Sequence, residues 1–230
     1  MSTRRIPVWA SLFTVAGVSI LCGLGTWQLQ RADWKRDLIA QLDKTYAADP
    51  IPATTASITT EAARTHDSLF YSRVTITGRY NATSFAVGPR TQEGHNGYHI
   101  IAPLQLDDGG FVLVNRGWAA DSAVPAPTNR VTVTGLLRRP ETPNMFVPPN
   151  NVANNQWYSI DIPAMTTAAQ TTSAAPLVLY AASEDPADST IAYHTARPAL
   201  PDNHRNYAFF WFSMAGIMIV IYALRFLRRG

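Results

Sequence analysis

Cysteine is almost absent from the sequence: the 230 residues include one, Cys22. A single thiol allows no disulfide within the chain, and it provides no Cys-x-x-Cys pair for metal binding or redox exchange. Copper transfer by paired thiols is therefore excluded as a function of this chain.

Charged residues are also few, and the two signs nearly balance, with 19 Lys and Arg against 16 Asp and Glu. Part of the basic excess lies near the two ends of the sequence, in Arg4 and Arg5 and in Arg225, Arg228 and Arg229. Terminal arginines beside apolar segments are a signal of membrane topology, whereas nucleic-acid binding needs positive charge clustered on the folded domain. We expect no nucleic-acid partner.

The common catalytic motifs are missing as well. The sequence contains no G-x-S-x-G elbow, no H-E-x-x-H, no Walker loop and no dinucleotide-binding glycine pattern. The remaining polar cluster is the glycine-containing segment 88–99, which we interpret as a turn between two strands. We therefore expect that the protein is not an enzyme. An enzyme of unrecognised type would have to use Arg90, Glu93, His95 and His99 from this segment.

Long apolar runs, by contrast, are present at both ends of the sequence. The first covers residues 6–30 between Arg5 and Arg31, and the second is uncharged from Tyr207 to Leu224. About 18 helical residues span ~27 Å, close to the thickness of a hydrocarbon core. We predict transmembrane helices at residues 6–30 and 204–225, with residues 47–203 forming one domain between them. The first helix is predicted to extend beyond the membrane to about residue 46.

A cleaved signal peptide is the alternative for the first run. Its length and its lack of a small-residue cleavage site favour an uncleaved anchor. Arginines at both ends of the chain place both termini in the cytoplasm, although Arg31, Lys35 and Arg36 oppose this locally. We expect a two-pass protein of the inner (plasma) membrane of a bacterium, with a periplasmic central domain, or the mitochondrial equivalent.

The central domain has the alternating pattern of β-strands, with β-branched residues between turn residues. Strands are predicted at residues 71–80, 85–88, 98–106, 111–118, 131–138, 157–160 and 177–182, with short helices at 59–64 and 162–170. The expected fold class is membrane α+β: two transmembrane helices that bracket an antiparallel, β-rich, barrel-like extracytoplasmic domain. Arg116, at the end of one strand, would either pair with a carboxylate within the sheet or face a partner.

His204 is the main candidate for a functional residue. Asp202 and Asn203 are good helix-capping residue types just before the second apolar run, so His204 falls in the first turn of that helix. Tyr207 and Trp211 follow on the same helix face. An imidazole at this place is either an interfacial polar group or a ligand for a metal.

Haem is the cofactor that these surroundings suit. Its iron takes an axial histidine, its macrocycle is apolar, and its propionates pair with arginine at the water boundary. His204 would contact the iron if the two helices pair. The residues around the ring would be Trp27, Arg31, Arg205, Tyr207 and Trp211. The alternative role for the tryptophans is membrane anchoring. Small residues permit helix pairing, and the candidates are Ser19, Gly23, Ala215 and Gly216.

The segment Gly23-Leu24-Gly25-Thr26-Trp27-Gln28-Leu29-Gln30-Arg31 resembles a signature of the Surfeit locus protein 1 family. Further blocks follow in that family's order. They are Gly88-Pro89-Arg90-Thr91 with Gly97-Tyr98-His99, Val112 to Trp118, Val133-Thr134-Gly135 with Arg138, Trp157-Tyr158 with Asp161, and Asn203-His204 with Tyr207-Ala208 and Trp211-Phe212. The similarity therefore runs almost from end to end.

The resemblance implies an assembly factor for a haem-copper terminal oxidase. Such a protein would bind haem a or hand it over to the large oxidase subunit, with the haem a synthase and membrane lipid as further partners. The alternative is a scaffold that holds oxidase subunits or the synthase without binding haem. His204 aligns with the family histidine that is expected to contact haem, with its iron as the metal. Asp202, Arg205 and Phe210 depart from the family pattern around it.

Overall fold

The computed structural model describes residues 8–64, 72–171, 174–195 and 202–227. The chain divides into two compact units. The first comprises Met1–Asp43 and Pro198–Gly230, and the second comprises Lys44–Arg197. Arg4, Arg5, Arg228 and Arg229, on which the expected membrane orientation depends, lie outside the described residues.

The first unit is a pair of helices. α1 covers Val8–Ala47 and α4 covers His204–Tyr222, followed by a π-helical turn at Ala223–Leu227. Both helices are long and apolar enough to cross a membrane. In the structure the first helix continues to Ala47, and the second helix begins at His204.

Glycines allow α1 and α4 to approach each other closely. A Cβ atom on Gly17 would lie 2.8 Å from the sulfur of Met218, and one on Gly25 would lie 2.7 Å from the ring of Phe212. Gly25 comes after Gly17 in α1, whereas its neighbour Phe212 comes before Met218 in α4. The two helices therefore pack antiparallel. Any side chain on Gly25 would force the Phe212 ring to move.

Only some of the small residues predicted to mediate helix pairing lie at the contact between the two helices. Gly23 and Gly216 face open space, with no atom within 4 Å of an added Cβ, and Ser19 is exposed. Ala215 is buried as expected. The prediction was wrong for Gly23 and Gly216, because spacing along one helix does not show which face meets the other helix. Ser19 lines a groove with Ile219 and Tyr222 of α4.

The second unit is a seven-stranded sheet with two short helices. Its elements are β1 Ile51–Pro52, α2 Thr55–Arg64, β2 Arg73–Tyr80, β3 Phe85–Gln92, β4 His95–Leu106, β5 Phe111–Ala119, β6 Arg130–Arg138, α3 Ile162–Ala168 and β7 Ala174–Asp185. The strand predicted at residues 157–160 is absent from the described structure, where Trp157 makes only an isolated bridge to Val87. Tyr71, where the first strand was predicted to begin, lies outside the described residues.

The sheet is mixed, with strand order β1-β2-β6-β7-β5-β4-β3 and an additional pairing of β2 with β4. The β1–β2 and β5–β7 pairs are parallel and the other pairs are antiparallel. The expected antiparallel, barrel-like domain is therefore corrected to a mixed sheet. Both parallel pairs make it mixed. In one of them, β7 returns beside β5 in the same direction after a long connection that includes β6 and α3, as a parallel pair requires.

The core of this unit lies where α2 and α3 cover the sheet. Ile58 and Ala62 of α2 pack with alternate residues of β2, such as Val74 and Ile76. Met165 of α3 belongs to a second cluster that contains Phe85, Trp157 and neighbouring strand residues. The alternation of buried and half-buried residues along β2 is the pattern from which its strand was predicted.

Candidate functional site

His204 is the first residue of α4, and a side-chain cap fixes its position. Oδ1 of Asp202 accepts a hydrogen bond from the backbone N–H of His204 at 3.0 Å. Asn203, the other predicted cap, makes no side-chain hydrogen bond to the helix. The cap satisfies one of the N–H groups that a helix start leaves without an intrahelical partner.

The imidazole of His204 is oriented by an amide on α1. Nδ1 of His204 lies 2.8 Å from Oε1 of Gln28. An amide oxygen accepts but cannot donate a hydrogen bond, so Nδ1 carries the ring proton and Nε2 keeps its lone pair. Nε2 makes no hydrogen bond to any described residue.

This arrangement is the one that histidine ligands of metals usually have. Such a histidine donates the N–H of one ring nitrogen to an oxygen acceptor, which fixes the tautomer and the ring orientation, and binds the metal with the other nitrogen. The His204–Gln28 pair can therefore present Nε2 to a metal or to a hydrogen-bond donor.

The role of Gln28 was not predicted from the sequence. A signal for it existed, because Gln28 follows the buried Gly25 by three residues and precedes the buried Ala32 by four. These positions share one face of α1. A polar amide on the same face as buried residues, at the end of an apolar run, indicates a polar partner across the helix contact.

Trp211 contributes a second polar atom to the helix pair. Its side chain is half-buried, and the indole Nε1 is buried without a hydrogen-bond partner in the described part of the chain. The ring packs edge-on against Phe210, with the centroids 5.3 Å apart. Because a buried N–H without an acceptor is costly, Trp211 offers a donor to a bound group.

The four other residues predicted to surround a haem are exposed. Trp27 is 52% exposed and Tyr207 is 55% exposed, and Arg31 and Arg205 are also exposed. The guanidinium of Arg31 stacks on Trp34, with Cζ 4.5 Å from the ring centroid. The structure thus brings His204 together with Gln28 and leaves these four side chains at the surface.

Arg116, for which the sequence allowed two roles, is fully buried in an ion pair within the sheet. Its Nε and Nη2 donate to the two carboxylate oxygens of Glu184 at 3.0 and 2.8 Å, and Nη2 also donates to Asp188 at 2.9 Å. The hydroxyl of Tyr80 donates to Glu184 at 2.6 Å. Burial and the adjacent Glu184 raise the pKa of Tyr80 well above its usual value, so the phenol stays protonated. Arg116 therefore does not face a partner.

The polar segment 88–99 separates into two parts. Glu93 and His95 are exposed at the turn between β3 and β4. Arg90 and His99 instead line a cavity in the second unit. Val87 and Arg90 flank a bulge in the β3–β4 pairing, so Arg90 does not follow the register of the first part of β3.

Two candidate membrane helices with a β-rich domain between them in sequence fit a two-pass membrane protein. Within that class, a model of the SURF1 family matches residues 15–216, which include both Gln28 and His204. The chain belongs to the SURF1 family, and the resemblance seen in the sequence is confirmed.

Relatives from several eukaryotes match most of the chain. The Surfeit locus protein 1 of Mus musculus is 28% identical over 230 residues, which cover 90% of this chain and 72% of the relative. The Surfeit locus protein 1 of Takifugu rubripes is 28% identical over 231 residues, which cover 90% of this chain and 92% of the relative. A SURF1-like protein of Monosiga brevicollis is 31% identical over 250 residues, which cover 99% of this chain and 90% of the relative.

Proposed function

We propose that this protein is an assembly factor for a haem-copper terminal oxidase, and that it binds haem a at His204 or hands it over to the large oxidase subunit. The observation that carries the proposal is the 2.8 Å contact between Nδ1 of His204 and Gln28, which leaves Nε2 available as a ligand. Membership of the SURF1 family supports the same function.

The side chains of the helix pair fit a haem. Nε2 of His204 would hold the iron, and the indole N–H of Trp211 would donate to a polar substituent. Arg31 and Arg205 are exposed, so their guanidinium groups are available for propionates. When bound, haem a would supply a redox-active iron in an apolar macrocycle. The protein's own part is to orient one imidazole and to provide apolar surface.

The proposed location is the inner membrane of a bacterium, or the mitochondrial equivalent, with both termini in the cytoplasm or matrix and residues 47–203 on the opposite side. The arginines near both ends of the sequence support this orientation. Membrane lipid would surround α1 and α4, and many of their apolar side chains are exposed, including Phe13, Ile20 and Phe209.

The test is haem retention by the purified protein. Wild type, His204→Ala and His95→Ala would be isolated in detergent from a host that makes haem a, and their visible absorption spectra compared at equal protein concentration. We expect wild type and His95→Ala to retain haem a. His204→Ala should retain at least tenfold less haem a than wild type. Equal retention by wild type and His204→Ala would remove the ligand role.

A scaffold that holds oxidase subunits or the haem a synthase without binding haem is the second candidate. Met145 and Phe146 favour it, because they are 90% and 85% exposed side by side in a loop of the sheet unit. On this hypothesis, the oxidase subunit would co-purify with His204→Ala but not with a Met145→Ser, Phe146→Ser double variant. Arg116 is unsuited to this test because it is buried in an ion pair.

A further inference from the structure

The second unit contains a cavity of about 480 Å³ that the haem proposal does not use. Its size is within the range of pockets that hold small molecules. Side chains from four strands and two loops line it. The polar lining residues include Arg90, His99, Arg138, Glu141, Tyr158 and His194.

Two guanidinium groups in this lining, those of Arg90 and Arg138, have N–H donors that are available for further hydrogen bonds. Nη2 of Arg90 donates to the carbonyl oxygen of Tyr158 at 3.2 Å, and Cζ of Arg138 lies 4.5 Å from the ring centroid of Tyr180. Neither arginine forms an ion pair with a described residue. Since each guanidinium has five N–H donors, most of them remain available to a ligand.

Two imidazoles meet beside these arginines. The rings of His99 and His194 pack edge to face with their centroids 5.1 Å apart. Burial, together with the charges of Arg90 and Arg138, lowers the pKa of His99 to about 4. Burial, with smaller contributions from His99 and Arg138, lowers the pKa of His194 to about 3. Both rings are therefore neutral near pH 7, and each has one N–H to donate.

The hydrogen bonds around these rings are incomplete. Nδ1 of His99 lies 3.4 Å from the amide nitrogen of Asn115, which can only donate, so the proton of His99 is on Nε2. Nε2 of His194, a lining residue, is buried with no partner among the residues that the structure describes. A buried polar atom without a partner costs roughly 1–3 kcal/mol, and a bound ligand would remove part of this cost.

The charge of the lining favours an anion. Two guanidinium groups face one carboxylate, Glu141, which is exposed and is the only acidic side chain among the described lining residues. A cation would be repelled by both arginines, and no group of three or more potential metal-ligating side chains occurs in the described parts of the chain. Two arginines with neutral imidazole donors suit a carboxylate or a phosphate group.

We propose that this cavity, the His99–His194 cavity, binds a small ligand through a carboxylate or phosphate group held by Arg90 and Arg138. The two imidazoles donate hydrogen bonds to the same group. Val87, Val147 and Ile160 also line the cavity, so the ligand carries a short apolar portion as well. The cavity belongs to the second unit and His204 to the first, so we expect His204→Ala to leave anion binding in the cavity unchanged.

The test is calorimetric titration of the purified full-length protein with butyrate, butyl phosphate and inorganic phosphate, with sodium chloride at equal ionic strength as the blank. We expect saturable binding of at least one of these anions. The butyrate and butyl phosphate titrations distinguish a carboxylate from a phosphate ligand, since their apolar parts are the same. Arg138→Gln and Arg90→Gln should each weaken binding at least tenfold. Arg130→Gln, which removes an exposed arginine of β6, should leave it unchanged.

Three results would overturn the proposal. One is the absence of saturable binding for all three anions. Another is equal binding by wild type and Arg138→Gln. The third is binding of zinc or copper(I) that His99→Gln abolishes, without any anion binding, since that would make the cavity a metal site. If Arg138→Gln does not fold, the imidazole proton resonances of His99 and His194 in the wild-type protein decide, because a ligand in the cavity must shift them.

Discussion

Nδ1 of His204 donates to Oε1 of Gln28 across 2.8 Å, although 176 positions separate the two residues in the chain. The contact fixes which ring nitrogen is free. It also shows that the end of the first apolar run lies beside the start of the second. The sequence of either run alone does not predict this contact. A functional histidine at this place depends on the amide that orients it.

Gln28→Leu should weaken haem retention without removing the ligand itself. The substitution takes away the acceptor for Nδ1–H, so we expect about a 10–100-fold loss of affinity. Gln28→Glu should retain binding because a carboxylate accepts the same hydrogen bond. Gln30→Leu, at an exposed position two residues along α1, is the matched control. Haem titration followed by absorbance measures all four proteins, and a Gln28→Leu protein that binds like wild type would contradict the proposed role.

Gly25→Ala should destabilise the helix pair, whereas Gly23→Ala should not. An added methyl group at Gly25 would meet the Phe212 ring at 2.7 Å, while one at Gly23 has no atom within 4 Å. Overpacking of this kind costs roughly 1–3 kcal/mol. Thermal unfolding of the detergent-solubilised variants gives the comparison. Combining Gly25→Ala with Phe212→Leu should recover part of the loss, and equal effects of the two alanine substitutions would disprove the close contact.

Arg116→Met should destabilise the sheet unit far more than Arg130→Met. Arg116 and Glu184 form an ion pair whose side chains are both 0% exposed, so removing the arginine leaves a buried carboxylate without its partner. The expected cost is roughly 3–5 kcal/mol. Arg130 pairs with Asp107 at the surface, where an ion pair contributes about 0–1 kcal/mol. Denaturant unfolding monitored by circular dichroism measures the stability of both variants. Similar unfolding midpoints for the two would contradict the burial of Arg116.

The stability of the sheet unit should fall as the pH decreases from about 6.5 to 4. In the folded protein the pKa is about 4 for His99 and about 3 for His194, both below the ordinary value of 6.5. The unfolded chain therefore takes up protons in this range while the folded protein does not. The loss is about 1 kcal/mol for each histidine between pH 7 and 5.5, and it levels off below the folded pKa values.

Denaturant unfolding at several pH values tests this dependence. The charged groups around the two rings are Arg90, Arg138 and Glu141, of which the arginines keep their charge throughout the range. His194→Gln should remove about half of the slope, and His95→Gln, at an exposed position, should leave the slope unchanged. Stability that is independent of pH between 7 and 5 would contradict the burial of the two imidazoles in neutral form.

The sequence was sufficient for features that depend on local spacing. The apolar run of α1 and its continuation to Ala47 follow from residues three and four apart, and β2 follows from its alternation with threonines. The position of His204 at the start of α4 follows from the capping residue types before an apolar run.

Features that depend on which elements meet were beyond the sequence. The sheet is mixed because β1 pairs with β2 and β7 pairs with β5 in parallel, and strand pattern does not specify the order or direction of neighbouring strands. His99, Arg138 and His194 come from β4, the end of β6 and the segment after β7, so no motif joins them. Their positions in the sequence do not show that they meet, and the topology brings them to one cavity.

The buried ion pair has a consequence for biosynthesis. Arg116 belongs to β5, whereas its carboxylate partners, Glu184 and Asp188, are made 68 and 72 residues later. Until the ribosome has completed β7, the guanidinium lacks the carboxylates of Glu184 and Asp188, and enclosing β5 without them is costly in free energy. Nascent chains that stop before Glu184 are therefore expected to stay open and accessible to proteases, which ties quality control of this unit to its last strand.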